Sequence, residues 1–254
     1  MRKTGRMWLA LCSCDLRMIE ALKLAADGLK ELFFPRECCI CGRFLSLRES
    51  EICLDCFCDL PFTFFWDWRE NPAFENLSVS ADIREAVSLM YYRDEAGTDD
   101  LMYRIKYNGG RSLAYRLGFV LGSRLRDSGR FSGISGVTAV PLHPSRKFRR
   151  GYNQSEIIAA GVAKAMDVPL IQGLLSRVRI TRSQATLGRE EKSRNVRGAF
   201  RLNEGEAKKL ADKNVSHILL VDDTLTTGAT LGECARQLSR KFEVSVASLA
   251  YAGS

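Results

Sequence analysis

The chain has 254 residues, with 38 Lys and Arg against 30 Asp and Glu, a net charge of +8 at neutral pH. That length can bury a full α/β core and leave room for a small appendage, and no apolar run approaches the ~20 residues of a membrane span. The positive balance suits an anionic partner, but nucleotide-like phosphates, nucleic acid and anionic lipid all qualify, so charge alone excludes little.

At the N-terminus, Arg2, Lys3 and Arg6 flank or precede a short apolar run, Met7 to Cys12, that imitates a secretory signal. The run is short for such a segment and Asp15 and Arg17 soon break it. A leader cleaved or lipidated at Cys12 or Cys14 is therefore disfavoured, with a start at Met7 or Met18 as the alternative. Ile19, Leu22, Leu24, Leu29 and Leu32 recur at helical steps, predicting one amphipathic helix over Leu16 to Phe34 that ends before Pro35.

Six of the nine cysteines lie between Cys38 and Cys58. In a chain this long, such clustering favours a metal in a reducing compartment over a disulfide framework. Cys38 and Cys41 form one CxxC knuckle, and Cys53 and Cys56 form a second. Four thiolates suit tetrahedral zinc (Zn2+), and with no open position the metal would be structural. Gly42 allows the tight turn that aims backbone N–H groups at sulfur. Cys39 and Cys58 are spare thiols that can replace a neighbour in the ligand set, and a metal-free cluster of buried or redox-active cysteines is the competing reading.

An aromatic run, Phe62 to Trp68, follows Leu60-Pro61. Stacking on single-stranded nucleic acid is one use for it, and seating a small module against its neighbour is the commoner one. Asn71 to Ser80 reads as linker, Ala86 to Tyr92 as a strand, and Asp99 to Lys106 and Leu113 to Arg126 as helices. The main sheet is expected to open at Val137 to Val140 and to exit into Pro141-Leu-His143-Pro-Ser145-Arg146-Lys147-Phe-Arg149-Arg150. Four basic residues within five at the end of a strand suit a pyrophosphate, although a solvated loop explains that run equally well. His143 is an acid or base candidate, more simply a structural histidine. A helix over Gln154 to Met166 and a strand over Val168 to Ile171 come next.

Residues 175–200 hold six arginines, which suit either a nucleic-acid arm or a loop closing over polyphosphate. Their place between the basic loop and the acidic stretch below favours the second. Glu204 to Lys213 reads as a charged surface segment. Ile218 to Val221 is a four-residue apolar run suited to a strand buried on both faces. Asp222 and Asp223 follow, then Thr224-Leu225-Thr226-Thr227-Gly228-Ala229-Thr230, and a helical pattern from Ala229 to Lys241. Strand, acidic pair, Thr/Gly turn and helix make a phosphate cradle, because unpaired N–H groups at a helix N-terminus attract a phosphate monoester. Carboxylates repel phosphate, so the pair implies a ligand that also offers sugar hydroxyls, magnesium or both. A strand over Val244 to Leu249 completes the visible sheet.

This stretch resembles the phosphoribosyl pyrophosphate (PRPP) loop of type I phosphoribosyltransferases, Val-Asp-Asp, any three residues, Thr-Gly, any residue, Thr. The resemblance places Asp222 and Asp223 on the ribose hydroxyls and Thr224 to Thr230 around the 5'-phosphate. More of the chain, from about Phe34 onward, is similar to the ComF family. The CxxC pairs, Leu-Pro, Val-Pro-Leu-His-Pro, Arg-Arg-Gly-Tyr-Asn-Gln-Ser, Thr-Arg-Ser-Gln-Ala-Thr-Leu, Arg-Asn-Val-Arg-Gly-Ala-Phe and the acidic stretch carry that likeness in order.

The resemblance implies an α/β protein of the type I phosphoribosyltransferase fold, with a mostly parallel central sheet flanked by helices and a small hood, preceded by a zinc-ribbon-like module. Residues 1–34 would be an extension, 35–60 the cysteine module, 61–80 an aromatic linker and 81–254 the catalytic domain. It also implies a cytoplasmic bacterial protein, a link to DNA uptake, and PRPP with Mg2+ as ligand. A single-stranded DNA or an uptake protein would be a partner. The implied reaction displaces pyrophosphate from C1 of PRPP by a nitrogen nucleophile, with Ser145, Arg146, Lys147, Arg179 and Arg182 on the pyrophosphate side. The competing expectations are a non-catalytic PRPP sensor or uptake accessory, and a zinc-dependent nucleic-acid binder on an inactive scaffold. The intact acidic pair argues against the last. The acceptor is not legible.

Overall fold

The computed structural model describes residues 35–47, 49–93, 97–107, 109–179 and 196–253, in two compact units divided between Cys58 and Asp59. The helix expected over Leu16 to Phe34 lies outside the described residues.

The first unit is small. An antiparallel bridge joins Glu37 to Phe44, Gly42 turns the chain at φ +71°, and a short helix, α1 (Leu54–Cys58), closes it. Cys38, Leu45 and Cys53 form its buried centre, with Ile40, Ile52 and Cys56 packed against them. Among the described residues this is little apolar burial, and the sulfur cluster at its centre is a source of further stabilisation.

The second unit is a parallel sheet flanked by helices, the fold class expected from the sequence. Its strands are β1 (Glu85–Tyr91), β2 (Gly136–Ala139), β3 (Leu170–Ile171), β6 (His217–Leu225) and β7 (Glu243–Tyr251), in the order β1-β7-β6-β2-β3 with every pair parallel. Strand β6 is central, and Ile218 to Val221 are fully buried, as a strand covered on both faces requires. β1 belongs to this sheet, so the sheet does not open at Val137 as the sequence suggests. Two three-residue strands, β4 (Leu175–Arg177) and β5 (Phe200–Leu202), form a separate antiparallel pair.

The helices are α2 (Pro72–Ser78), α3 (Thr98–Tyr107), α4 (Arg111–Asp127), α5 (Pro144–Arg150), α6 (Gln154–Met166), α7 (Glu204–Ala211) and α8 (Ala229–Leu238). Helices α4 and α6 cross almost backbone to backbone. A Cβ on Gly118 would lie 2.2 Å from the Ile158 carbonyl oxygen, and one on Gly161 2.1 Å from that of Tyr115. Only glycine fits there.

Three stretches differ from their reading in the sequence. Asn71 to Ser80 is not linker but carries α2: the buried Asn71 side chain accepts hydrogen bonds from the Ala73 and Phe74 N–H groups, and Pro72 begins the helix. The basic run after β2 is wound into α5, and the charged segment before β6 into α7, capped by Asn203. The aromatic run belongs to the sheet unit. Phe62 bridges Met90, and the fully buried Phe65 meets Tyr91 and Tyr251 edge to face, each at 5.6 Å between ring centres. Trp66 is buried as well, so its indole is not on offer to a nucleobase.

Candidate functional site

Sheet topology sets the position of the site. From β2 the chain moves outward to β3, then returns to place β6 on the other side of β2, with β7 beyond. Between β2 and β6 the strand order reverses, and ligands of open parallel sheets bind beyond the C-terminal strand ends at such a reversal. A cleft of about 240 Å³ lies there, lined by Val140 and Pro141 after β2, and by Asp222 to Leu231.

Strand β6 runs on through both carboxylates to Leu225, further than the sequence suggests, so Asp222 and Asp223 stand on rigid backbone. Each uses one oxygen internally. Asp222 Oδ1 accepts from Ser155 Oγ (2.7 Å) and from the Asp223 N–H (2.9 Å). Asp223 Oδ2 accepts from Gln154 Nε2 (3.2 Å) and pairs with Lys106 Nζ (3.3 Å). Asp222 Oδ2 and Asp223 Oδ1 take no hydrogen bond among the described residues, leaving two adjacent acceptors. Burial raises the Asp222 carboxyl pKa well above the usual carboxylate range, and the charge of Asp223 adds to this.

The turn after β6 forms the second half of the cleft. Gly228 adopts φ +74° at the N-cap of α8 and supplies no side-chain cap, so the first N–H groups of that helix are left for an anion. A Cβ on Gly228 would lie 2.4 Å from Asn76 Oδ1. Asn76, on α2, donates from Nδ2 to the Thr226 carbonyl (3.2 Å) and so braces the turn. The Thr224 and Thr227 hydroxyls are buried without a hydrogen-bond partner among the described residues. Such orphaned hydroxyls at an uncapped helix end fit a phosphate.

The lining is also cationic. Lys106, Arg146, Arg150 and Arg177 belong to it. Burial lowers the Arg177 pKa, and Arg146 adds like-charge repulsion, a local surplus of positive charge suited to a polyanion. Arg150 donates to Gln154 Oε1 (3.0 Å) and stacks over the Tyr107 ring at 4.9 Å.

Thus Asp222, Asp223 and Thr224 to Thr230 meet in one cleft, and Arg146 joins them. Ser145, Lys147 and Arg179 are not among its lining residues. Ser145 Oγ bonds His143 Nδ1, Lys147 pairs with Glu156 across the start of α6, and Arg179 donates to the Arg197 carbonyl. Arg182 lies outside the described residues. The His143 side chain caps α5 by accepting the Ser145 N–H, a structural use. The sequence reading held Arg150 within the basic run and Arg177 within the arginine-rich stretch without picking either out, and missed Lys106, Gln154, Ser155 and Asn76. Gln154 and Ser155 were within reach, because they come a few residues after the basic run and open the next helix.

In the first unit, the sulfurs of Cys38, Cys41, Cys53 and Cys56 lie within 4.8 Å of one another, close enough to hold one metal ion. The Cys53 N–H donates to Cys38 Sγ and the Cys56 N–H to Cys53 Sγ, both at 3.4 Å. Burial would push the Cys38 thiol up, but the N–H groups of Cys41, Cys53 and Ile40 outweigh it and hold the pKa below the ordinary thiol value. The Cys56 pKa moves the other way, raised by burial and by its sulfur neighbours. Sulfurs gathered this closely, with N–H groups aimed at two of them, suit thiolates that hold one metal ion.

The chain is 30% identical over 215 residues to the DNA utilization protein YhgH of Salmonella typhimurium, covering 82% of this chain and 86% of that one. The chain belongs to the ComF family. The Competence protein F of Haemophilus influenzae is 25% identical over 82% of this chain and 93% of its own length. The Escherichia coli K12 DNA utilization protein YhgH is 25% identical over 85% and 96%. No protein-family model matches the chain. No helix among the described residues of this ComF-family protein is long and apolar enough to cross a membrane.

Proposed function

We propose that the sheet unit binds PRPP together with Mg2+ and transfers its phosphoribosyl group to a nitrogen acceptor, releasing pyrophosphate, within the DNA utilization or competence role that its relatives' names carry. The observation that supports this most is the pairing of two unused carboxylate oxygens with an uncapped helix N-terminus and two orphaned threonine hydroxyls, in one cleft with four cations. A diol, a phosphate monoester and a polyanion are the three parts of PRPP.

In this reading, the N–H groups at the start of α8, with Thr224 and Thr227, hold the 5'-phosphate. Asp222 Oδ2 and Asp223 Oδ1 accept hydrogen bonds from the ribose 2'- and 3'-hydroxyls, and their charge favours the ring as C1 becomes cationic. Arg146, Arg150 and Arg177 hold the pyrophosphate as the C1–O bond breaks. Magnesium, arriving on the ligand, would add Lewis-acid stabilisation of that leaving group. Zinc on Cys38, Cys41, Cys53 and Cys56 is structural.

Calorimetry of zinc-loaded protein with PRPP and magnesium tests the reading, with an Asp222→Asn, Asp223→Asn double variant as control. Micromolar binding lost in the variant is expected; no binding by folded wild type overturns it. A second reading, a PRPP-sensing accessory without turnover, draws on the relatives' names, which describe DNA handling rather than catalysis. Pyrophosphate release with a panel of nitrogen acceptors separates the two.

A further inference from the structure

Two carboxylates on consecutive residues of a buried strand need positive charge close by, and their partners divide unequally. Asp222 receives only neutral donors, the Ser155 hydroxyl and a backbone N–H. Asp223 receives the Gln154 amide and one cation, Lys106. This lysine comes from α3, outside the acidic stretch, the Thr/Gly turn and the basic run. Of the other charges at the cleft, Arg150 is committed to Gln154 and Tyr107, while Arg146 and Arg177 line it from α5 and β4.

We propose that Lys106 is the resident counter-cation of the acidic pair, a positioning residue that holds Asp223 in the cleft as a charged acceptor and eases the ionisation of Asp222 beside it. The ammonium meets Asp223 Oδ2, the oxygen that also takes Gln154, so it compensates the charge without covering Oδ1. That arrangement separates the two tasks of one carboxylate: one oxygen is anchored and neutralised, the other presented. Burial works against the Lys106 ammonium, but Asp223, and more weakly Asp222, outweigh it and raise its pKa, so it stays charged across the neutral range. Without it, the acidic pair is relieved most readily by taking up a proton, which removes an acceptor.

The part concerning ligand rests on the PRPP reading; the part concerning charge does not, and the experiment keeps them apart. Wild type, Lys106→Met, Lys106→Arg and a Lys106→Met, Asp223→Asn double variant are melted without ligand between about pH 5.5 and 8.5, and titrated with PRPP and magnesium over the same range. The Met variant is expected to fall behind wild type in melting temperature by a gap that widens as pH rises, because deprotonating the pair then leaves it uncompensated. The Arg variant should follow wild type, and the double variant, with one carboxylate fewer, should lose the widening. PRPP affinity of the Met variant should drop roughly tenfold near pH 6.5 and recover towards alkaline pH. A melting deficit independent of pH, or a double variant in which the gap still widens, would overturn the assignment. Failure of wild type to bind PRPP overturns the proposed function, and the ligand-free melts still decide Lys106.

Discussion

The cysteine unit and the sheet unit hold themselves together in different ways. Among the described residues, the first buries little beyond Cys38, Leu45 and Cys53, and its centre is sulfur. The second closes helices over a central strand in which Ile218 to Val221 are fully buried, and needs no ligand to explain its fold. In the first unit the residues at the centre are also the ones that could hold a metal ion. In the second, the polar site sits at the ends of strands whose stability lies elsewhere, so carboxylates and unpaired hydroxyls are tolerated there.

The sharpest break in that contrast is metal removal. Chelation, or Cys53→Ser, is expected to unfold the cysteine unit, since structural zinc sites of this kind contribute about 10 kcal/mol or more. Hydrogen exchange should show protection lost over residues 35–58 and kept in β6. Loss in both regions would show that the sheet unit depends on the metal too.

Gly161→Ala attacks the other side. The added Cβ meets the Tyr115 carbonyl oxygen at 2.1 Å, so α4 and α6 must separate, at a cost of about 1–3 kcal/mol. A lower urea midpoint with unchanged metal content is the expected outcome.

Asp222→Asn should stabilise the protein while abolishing its ligand binding. The asparagine Oδ1 can still accept from Ser155 and the Asp223 N–H, and the buried charge is gone. Because the folded-state pKa of Asp222 is raised, wild type has the full benefit of this group only below the unfolded value and loses it as pH climbs through the folded one. The advantage of the variant should therefore grow from pH 5 through about pH 7, the folded-state value, and level off above it, reaching about 1–3 kcal/mol. Melting temperature against pH checks the sign.

The smallest expected effect is that of Asn76→Ala. Losing the donor to the Thr226 carbonyl should cost about 1 kcal/mol and loosen the turn, weakening inorganic phosphate binding more than it lowers the melting temperature.

Legibility in the sequence followed locality. The cradle could be read because strand, acidic pair, turn and helix are contiguous, and the cysteines because both knuckles keep their spacing. Lys106 could not, since a single lysine on an amphipathic helix looks like any solvated residue, and only tertiary packing brings it to Asp223. The pair β4 and β5 escaped because three-residue strands have no periodicity to detect. For α2 the signal was present, an asparagine cap before a proline, but seven residues between an aromatic run and a strand read more naturally as connection.

Helix α2 also has a bearing on gene architecture. With Asn71 donating to the Ala86 carbonyl of β1 and Asn76 to the Thr226 carbonyl after β6, the stretch from residue 59 to 80 is bound into the sheet unit. A recombination event that exchanged the cysteine module for another N-terminal fusion partner would leave an intact sheet unit only if its crossover fell near residue 58. One at residue 81, where the sequence invites the cut, would discard the brace of the turn after β6 along with the module.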